Sequence, residues 1–306
     1  TIPVGKDSMS MRTVWDEGDE KKSVTSPLSL IITAFAPVQD VRKTVTPQLR
    51  TDKGDTRLLL VDLGNGKNRL GATALAQVFN QLGNECADVE QPAQLKTFFD
   101  AIQVLQNDNK LLAYHDRSDG GLWATVCEMA FAGHTGVAID LSGLTNNSNI
   151  LSVLFNEELG AVLQVPASDA GSIVASMSAD GLTVSVIGSL VSTGSVVITV
   201  DGSEVINESR IALQQAWAET SYQVQNLRDN SECATQEFDS IEKNEPGISP
   251  VVTFDAQDDI TAPFAKAIRP KIAILREQGV NGQIEMAGAF DKVGFVSVDV
   301  HMSDIL

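Results

Sequence analysis

The chain has 306 residues, with 22 Lys and Arg against 40 Asp and Glu, a formal charge of −18 and a pI near 4.4. So acidic a balance excludes a nucleic-acid scaffold, whose affinity for phosphate backbones rests on clustered cations. It leaves room for small phosphorylated ligands held by a few local cations, a metal or backbone N–H groups. A hydrophobic content of 43% with 20% charged residues excludes disordered and collagen-like classes. At about 100–200 residues per domain, the length predicts two domains or one large domain with appendages.

In chain order, Val4-Gly5-Lys6-Asp7-Ser8-Met9 is a polar cluster in an apolar frame. Lys6 can place a point charge on phosphate and Ser8 can hydrogen-bond it, but taken alone these residues read better as a surface turn. The N-terminus has no basic segment leading into an apolar one, so it is not read as a secretory signal. It also lacks an initiator Met, from which a segment of a longer protein is expected. No run approaches the ~20 apolar residues of a membrane span.

Residues 26–38 read as a buried strand closed by Pro37, and residues 57–63 as a second strand whose run Leu58-Leu59-Leu60-Val61 predicts a sheet covered on both faces. Helices are predicted over 72–82, with Leu75, Val78, Phe79 and Leu82 on one face, and over 94–106, with Leu95, Phe98, Phe99, Ile102 and Leu105. A strand at 111–115, a helix at 122–132, strands at 137–141, 160–165, 183–189 and 196–200 and a helix at 167–178 follow. This alternation predicts an α/β or α+β domain ending near residue 211. Residues 211–228 are helical in pattern, 229–250 read as a polar surface connector, and 271–300 as a strand–helix–strand start too small to bury its own faces.

The most informative segment is His115-Asp116-Arg117-Ser118-Asp119-Gly120-Gly121, where a strand hands over to a helix. That is where open α/β sheets place ligands. Its carboxylates suit Mg²⁺, which is bound through one or two carboxylates plus substrate phosphates. Equally, Asp119 could cap the following helix while the glycines only shape the turn. Gly64-Asn65-Gly66 lacks the full GxGxxG fingerprint and reads as a flexible loop with Lys67 and Arg69 solvated. Asn156-Glu157-Glu158-Leu159-Gly160 reads as a turn, one inward carboxylate being the alternative. Three cysteines, Cys86, Cys127 and Cys233, widely spaced and without CxxC or HExxH, fit a reducing cytoplasm and no zinc site. No Ser/His or Cys/His arrangement for nucleophilic catalysis is visible.

Four blocks carry a resemblance: Gly5-Lys6-Asp7-Ser8-Met9-Ser10-Met11, Thr25-Ser26-Pro27-Leu28-Ser29-Leu30, Ala113-Tyr114-His115-Asp116-Arg117-Ser118-Asp119-Gly120-Gly121-Leu122 and Arg276-Glu277-Gln278-Gly279-Val280-Asn281. With Thr220-Ser221-Tyr222-Gln223 they resemble, in order, the large single-chain phosphoribosylformylglycinamidine synthases of purine biosynthesis. The resemblance implies an α/β (α+β) fold in four parts. Residues 1–48 would end the second ATP-grasping subdomain, and 49–211 form a C-terminal domain like that of aminoimidazole ribonucleotide synthetase. Residues 212–270 would be a helix and connector, and 271–306 a truncated βαβ start of a class I glutaminase.

The same resemblance implies a ligase that converts formylglycinamide ribonucleotide, glutamine and ATP to the amidine, glutamate, ADP and phosphate, with Mg²⁺ and ATP/ADP as cofactors. It implies Asp116 as a magnesium ligand and Ser118 as a nucleotide contact, at a second-half site that holds a structural ADP in the large enzymes. Gly5, Lys6, Ser8 and Glu157 are implied in binding substrate or phosphate. Lys6 stands where short relatives carry Asn, which speaks against a direct metal role there. No residue of this chain is assigned as catalytic. The glutaminase nucleophile would lie outside the chain, so these residues alone are expected to be inactive. The expected partners are the first synthetase half and the glutaminase of the same polypeptide, with no nucleic acid and no membrane, in the cytoplasm. A small-molecule kinase or selenophosphate-synthetase-like enzyme would lack the Arg276 block. A non-catalytic pseudo-dimer half that docks the glutaminase is the other alternative.

Overall fold

The computed structural model describes residues 12–25, 33–38, 40–145, 149–243, 247–248, 250–255, 257–264 and 268–306. It separates into two compact units, Thr1–Asn244 and Glu245–Leu306. In the first unit, β1 (Arg12–Glu17) and β2 (Glu20–Thr25) form an antiparallel hairpin. The strand predicted over 26–38 lies partly outside the described residues. Residues 33–38 within it form no strand and are exposed.

The core is built on β3 (Thr56–Asp62), β4 (Ala113–Asp116), β5 (Gly136–Asp140), β6 (Gly160–Pro166), β7 (Thr183–Val191), β8 (Ser195–Val200) and β9 (Ser203–Ser209). These strands form one sheet in the order β4-β6-β3-β7-β5-β8-β9. The edge strand β9, mostly polar and exposed except at Ile206, gave no sequence signal. Every neighbouring pair is antiparallel except β5 with β8. β4, the strand that leads into the His115–Gly121 turn, therefore has no parallel neighbour.

The expectation of a sheet covered on both faces holds, because alternation sends successive side chains of β3 to opposite sides. Leu58 and Leu60 join Val126, Met129, Leu154 and Ile187 in one cluster, while Leu59 and Val61 join Phe98, Ile102, Ile173 and Met177 in another. The first face is covered by α3 (Gly121–Gly133) and α4 (Ile150–Phe155), the second by α2 (Pro92–Asn107) and α5 (Ala167–Ala179). Gln164, fully buried in β6, donates to Arg50 O and Thr56 Oγ1 and accepts from Arg50 N, so it ties the incoming chain to the sheet.

Three readings need correction. The helix expected over 72–82 is only α1 (Ala74–Val78), stopped where Asn80 turns left-handed at φ +54°, and Val78, Phe79 and Leu82 are exposed. On α2 the buried side is Phe98, Ile102 and Leu105; Leu95 and Phe99 face solvent. The supposed connector after residue 229 contains α7 (Ser231–Lys243), which packs on α6 (Arg210–Arg228) through a Tyr222–Phe238 stack at 4.6 Å. Its polar composition hid a helix whose few apolar contacts sit on one side. In the second unit, β10 (Lys271–Arg276) and β11 (Val296–His301) pair in parallel around α8 (Gln283–Lys292), which buries no residue.

Cys127 is buried in α3, whereas Cys86 and Cys233 are exposed. Burial, helped by the Glu128 carboxylate, pushes the Cys127 thiol from its ordinary 9.0 up to about 12. The folded state therefore keeps this thiol neutral where the unfolded chain ionises it. Its contribution to stability is complete below pH 9 and is lost as the pH rises toward 12. Maleimide labelling at pH 7 should modify Cys86 and Cys233 rapidly and Cys127 only after denaturation; prompt labelling of all three would contradict this burial.

Candidate functional site

Register gathers the polar residues at one end of the sheet. Asp62, closing β3, lies opposite both Gly160 at the start of β6 and Thr183 at the start of β7, and Asp116, closing β4, lies opposite Ala161. Alternation then sorts them by face. Asp116 shares a side with Tyr114, whose partner Leu163 belongs to the α2/α5 cluster, whereas His115 pairs with Val162 of the α3/α4 cluster.

Asp116 is exposed, and its Oδ1 accepts from the Tyr114 hydroxyl at 2.5 Å. Burial, and after it this hydrogen bond, raises the Tyr114 pKa above its usual 10.0, so the hydroxyl remains a donor. The Asp116 backbone is held as well: its carbonyl accepts from Thr125 Oγ1 at 3.2 Å, and Arg117 N donates to Gly160 O at 2.9 Å. Ser118 is exposed on the following turn, and its carbonyl accepts from Gly121 N. Gly120 and Gly121 both have positive φ, +81° and +66°. The N-cap of α3 is Gly120 and no side chain caps it, which removes the capping role considered for Asp119.

Behind this turn lies a junction of buried charges. Arg117, 5% exposed, donates from Nη2 to Asp62 Oδ1 at 2.5 Å and to Leu159 O, and from Nε to Glu158 O. Glu158 is fully buried and accepts from Arg69 in a fork, Nε to Oε1 at 2.7 Å and Nη2 to Oε2 at 2.8 Å. Arg69 is thus enclosed and paired, not solvated as expected. Lys67 stays half exposed on Glu90. The Asn156–Glu158 segment is far more than a turn. Asn156 Nδ2 donates to Asn68 Oδ1, and Glu157 Oε1 accepts from both Ala74 N and Gly120 N at 2.8 Å. These contacts clamp the loops 64–74 and 117–121 together, and they occupy one Glu157 oxygen with backbone.

Beside the junction is a cleft of about 420 Å³, lined by Leu60, Asp62, Arg117, Thr183 and Ser185 from the sheet end and by Leu144 and Val153 opposite. Among the described residues no group of three or more His, Cys, Asp or Glu could hold a metal. Asp116 does fit the other mode, in which Mg²⁺ takes one exposed carboxylate and completes its shell with water and phosphate oxygens. Gly5, Lys6 and Ser8 lie outside the described residues. Sequence reasoning missed Asp62, the burial of Arg69 and the contacts of Arg117 and Tyr114, while the inward carboxylate it allowed in the 156–160 segment is Glu158. A charge placed directly at the end of a wholly apolar strand, as in Leu58-Leu59-Leu60-Val61-Asp62, was the available signal for the first.

Comparison with known families matches three consecutive stretches. Residues 1–37 match the FGAR-AT PurM_N-like domain, residues 55–201 the C-terminal domain of AIR synthase related proteins, and residues 269–306 the CobB/CobQ-like glutamine amidotransferase domain. Taken together, the three matches support a fragment of a PurL-type phosphoribosylformylglycinamidine synthase. Similar solved structures include Thermotoga maritima PurL complexed with ATP, at 12% identity and TM-score 0.45, over 62% of this chain and 28% of that one. The same protein complexed with FGAR matches at 13% identity and TM-score 0.46, over 56% of this chain and 30% of that one. The hydrogenase maturation protein HypE of E. coli matches at 24% identity and TM-score 0.37, over 53% and 50%. The match thus spans less than a third of the length of these two PurL chains. Among the described residues no helix is long and apolar enough to cross a membrane.

Proposed function

We propose that this chain serves an ATP-dependent carbon–nitrogen ligase. Formylglycinamide ribonucleotide, glutamine, ATP and water give formylglycinamidine ribonucleotide, glutamate, ADP and phosphate. The observation that carries this reading is the order of the three family matches on one polypeptide, a synthetase portion followed by a glutaminase start. The proposed partition is 1–48, 49–211, 212–270 and 271–306, in the roles implied by the resemblance. The remaining synthetase half and glutaminase of the same polypeptide are the proposed partners. Three unpaired cysteines support a cytoplasmic setting.

Within this chain, Asp116 is the proposed magnesium ligand and Ser118 the nucleotide contact. Gly5, Lys6, Ser8 and Glu157 are proposed at the substrate or phosphate groups. The exposure of Asp116 and Ser118 on a backbone fixed by Thr125, Gly160 and Gly121 supports the first two assignments. Magnesium there would neutralise phosphate charge. The bound nucleotide is proposed to be structural ADP.

Calorimetric titration of MgADP tests the assignment. Asp116→Ala is expected to weaken binding at least tenfold with folding intact, and unchanged affinity would remove Asp116 from the site. The same variant separates a scaffold from a catalytic half. Lower thermal stability with residual turnover indicates a structural nucleotide; an intact fold with turnover lost indicates a catalytic one.

A further inference from the structure

We infer that Tyr114 is a positioning residue that orients the Asp116 carboxylate toward a divalent cation; this rests on the proposed reading of Asp116 as a magnesium ligand. Residues two apart on a strand share a face, so the two side chains of β4 stand side by side, and the Tyr114 hydroxyl donates to Asp116 Oδ1 at 2.5 Å.

The two residues differ in freedom. Asp116 is exposed, and left alone its carboxylate would rotate among several orientations in water. Tyr114 is anchored: its ring is partly buried against the cluster that contains Leu163, and its backbone N–H donates to Thr46 O at 3.0 Å. A fixed hydroxyl therefore holds one oxygen of a mobile carboxylate and leaves the other as a single, directed ligand. Magnesium demands near-ideal octahedral geometry and binds through few protein groups, so the aim of one oxygen matters. Hydrogen-bond partners of metal-ligating carboxylates typically carry about 10–100-fold in metal affinity. A phenol so placed is an anchor and needs no proton transfer.

The experiment titrates the nucleotide-free intact protein, its Tyr114→Phe variant and its Asp116→Ala variant with ADP, once with Mg²⁺ and once with EDTA. Tyr114→Phe removes one oxygen atom and keeps the ring. It is expected to weaken MgADP binding about 10–100-fold while leaving metal-free ADP binding and the unliganded Tm unchanged. Equal losses with and without Mg²⁺ would mean a merely structural role and overturn the inference. Wild-type MgADP affinity in Tyr114→Phe, with the Mg²⁺ dependence lost in Asp116→Ala, would overturn it and leave the metal assignment standing. Full Mg²⁺ dependence in Asp116→Ala would overturn both. Should that variant fail to fold, Asp116→Asn, which keeps the size and an acceptor for Tyr114, takes its place.

Discussion

Arg117→Ala is expected to destabilise the first unit by about 3–5 kcal/mol, the usual cost of removing one partner from a buried ion pair. For a unit of this size, Thr1–Asn244, that corresponds to a fall in Tm of roughly 6–20 °C. The guanidinium is 2% exposed and the Asp62 side chain 14%, so water replaces little of what is lost. The variant removes the charged partner of the Asp62 carboxylate, which keeps only Gly64 N and Gly66 N at 3.3 Å, and takes a donor from the carbonyls of Glu158 and Leu159. Arg117→Lys keeps the charge but not the fork, and should recover only part of the loss. Replacing the pair together, Asp62→Leu with Arg117→Met, should cost much less than Arg117→Ala, because no charge is left buried. Thermal or urea unfolding of the set decides the matter. An unchanged Tm in Arg117→Ala would mean that the pair is solvated.

Gly121→Ala is the second large effect, about 2–5 kcal/mol. Two penalties combine there. Its φ of +66° costs an L-residue about 1–2 kcal/mol. In addition, a Cβ would sit 2.6 Å from Asn156 O and 2.7 Å from Leu154 O. These are backbone atoms that cannot swing aside, and overpacking of this kind costs about 1–3 kcal/mol. Gly66→Ala is the control. Its φ is +73° with nothing within 4 Å of an added Cβ, so only the backbone term of about 1–2 kcal/mol remains. Because Gly121 N donates to Ser118 O, moving this glycine should also weaken MgADP binding. Equal Tm losses in the two variants would show that close approach contributes nothing.

The contrast between these glycines shows what was legible in the sequence. Gly120-Gly121 was visible as a turn, but turn-forming and close-approach roles could not be told apart until the Asn156 segment, 35 residues on, was seen against it. Likewise Leu58-Leu59-Leu60-Val61 announced a strand buried on both sides, because an unbroken apolar run has no solvent face. The strand's direction relative to its neighbours was not announced. Parallel and antiparallel strands bury the same side chains, and only the ladder separates them. Arg69 read as solvated because charge on a Gly-rich loop usually is; its buried partner Glu158 lies 89 residues away.

By itself, then, the sequence determined the alternating strand–helix core, its two buried faces and the Asp116–Gly121 turn at a strand end. Each of these depends on local periodicity and local backbone preference. The tertiary structure alone decided which charges are buried, which strands meet and that Glu157 holds the turn in place. Those outcomes depend on desolvation and on pairs far apart along the chain. A buried carboxylate is tolerated only where a particular guanidinium reaches it, and no local window of sequence contains both.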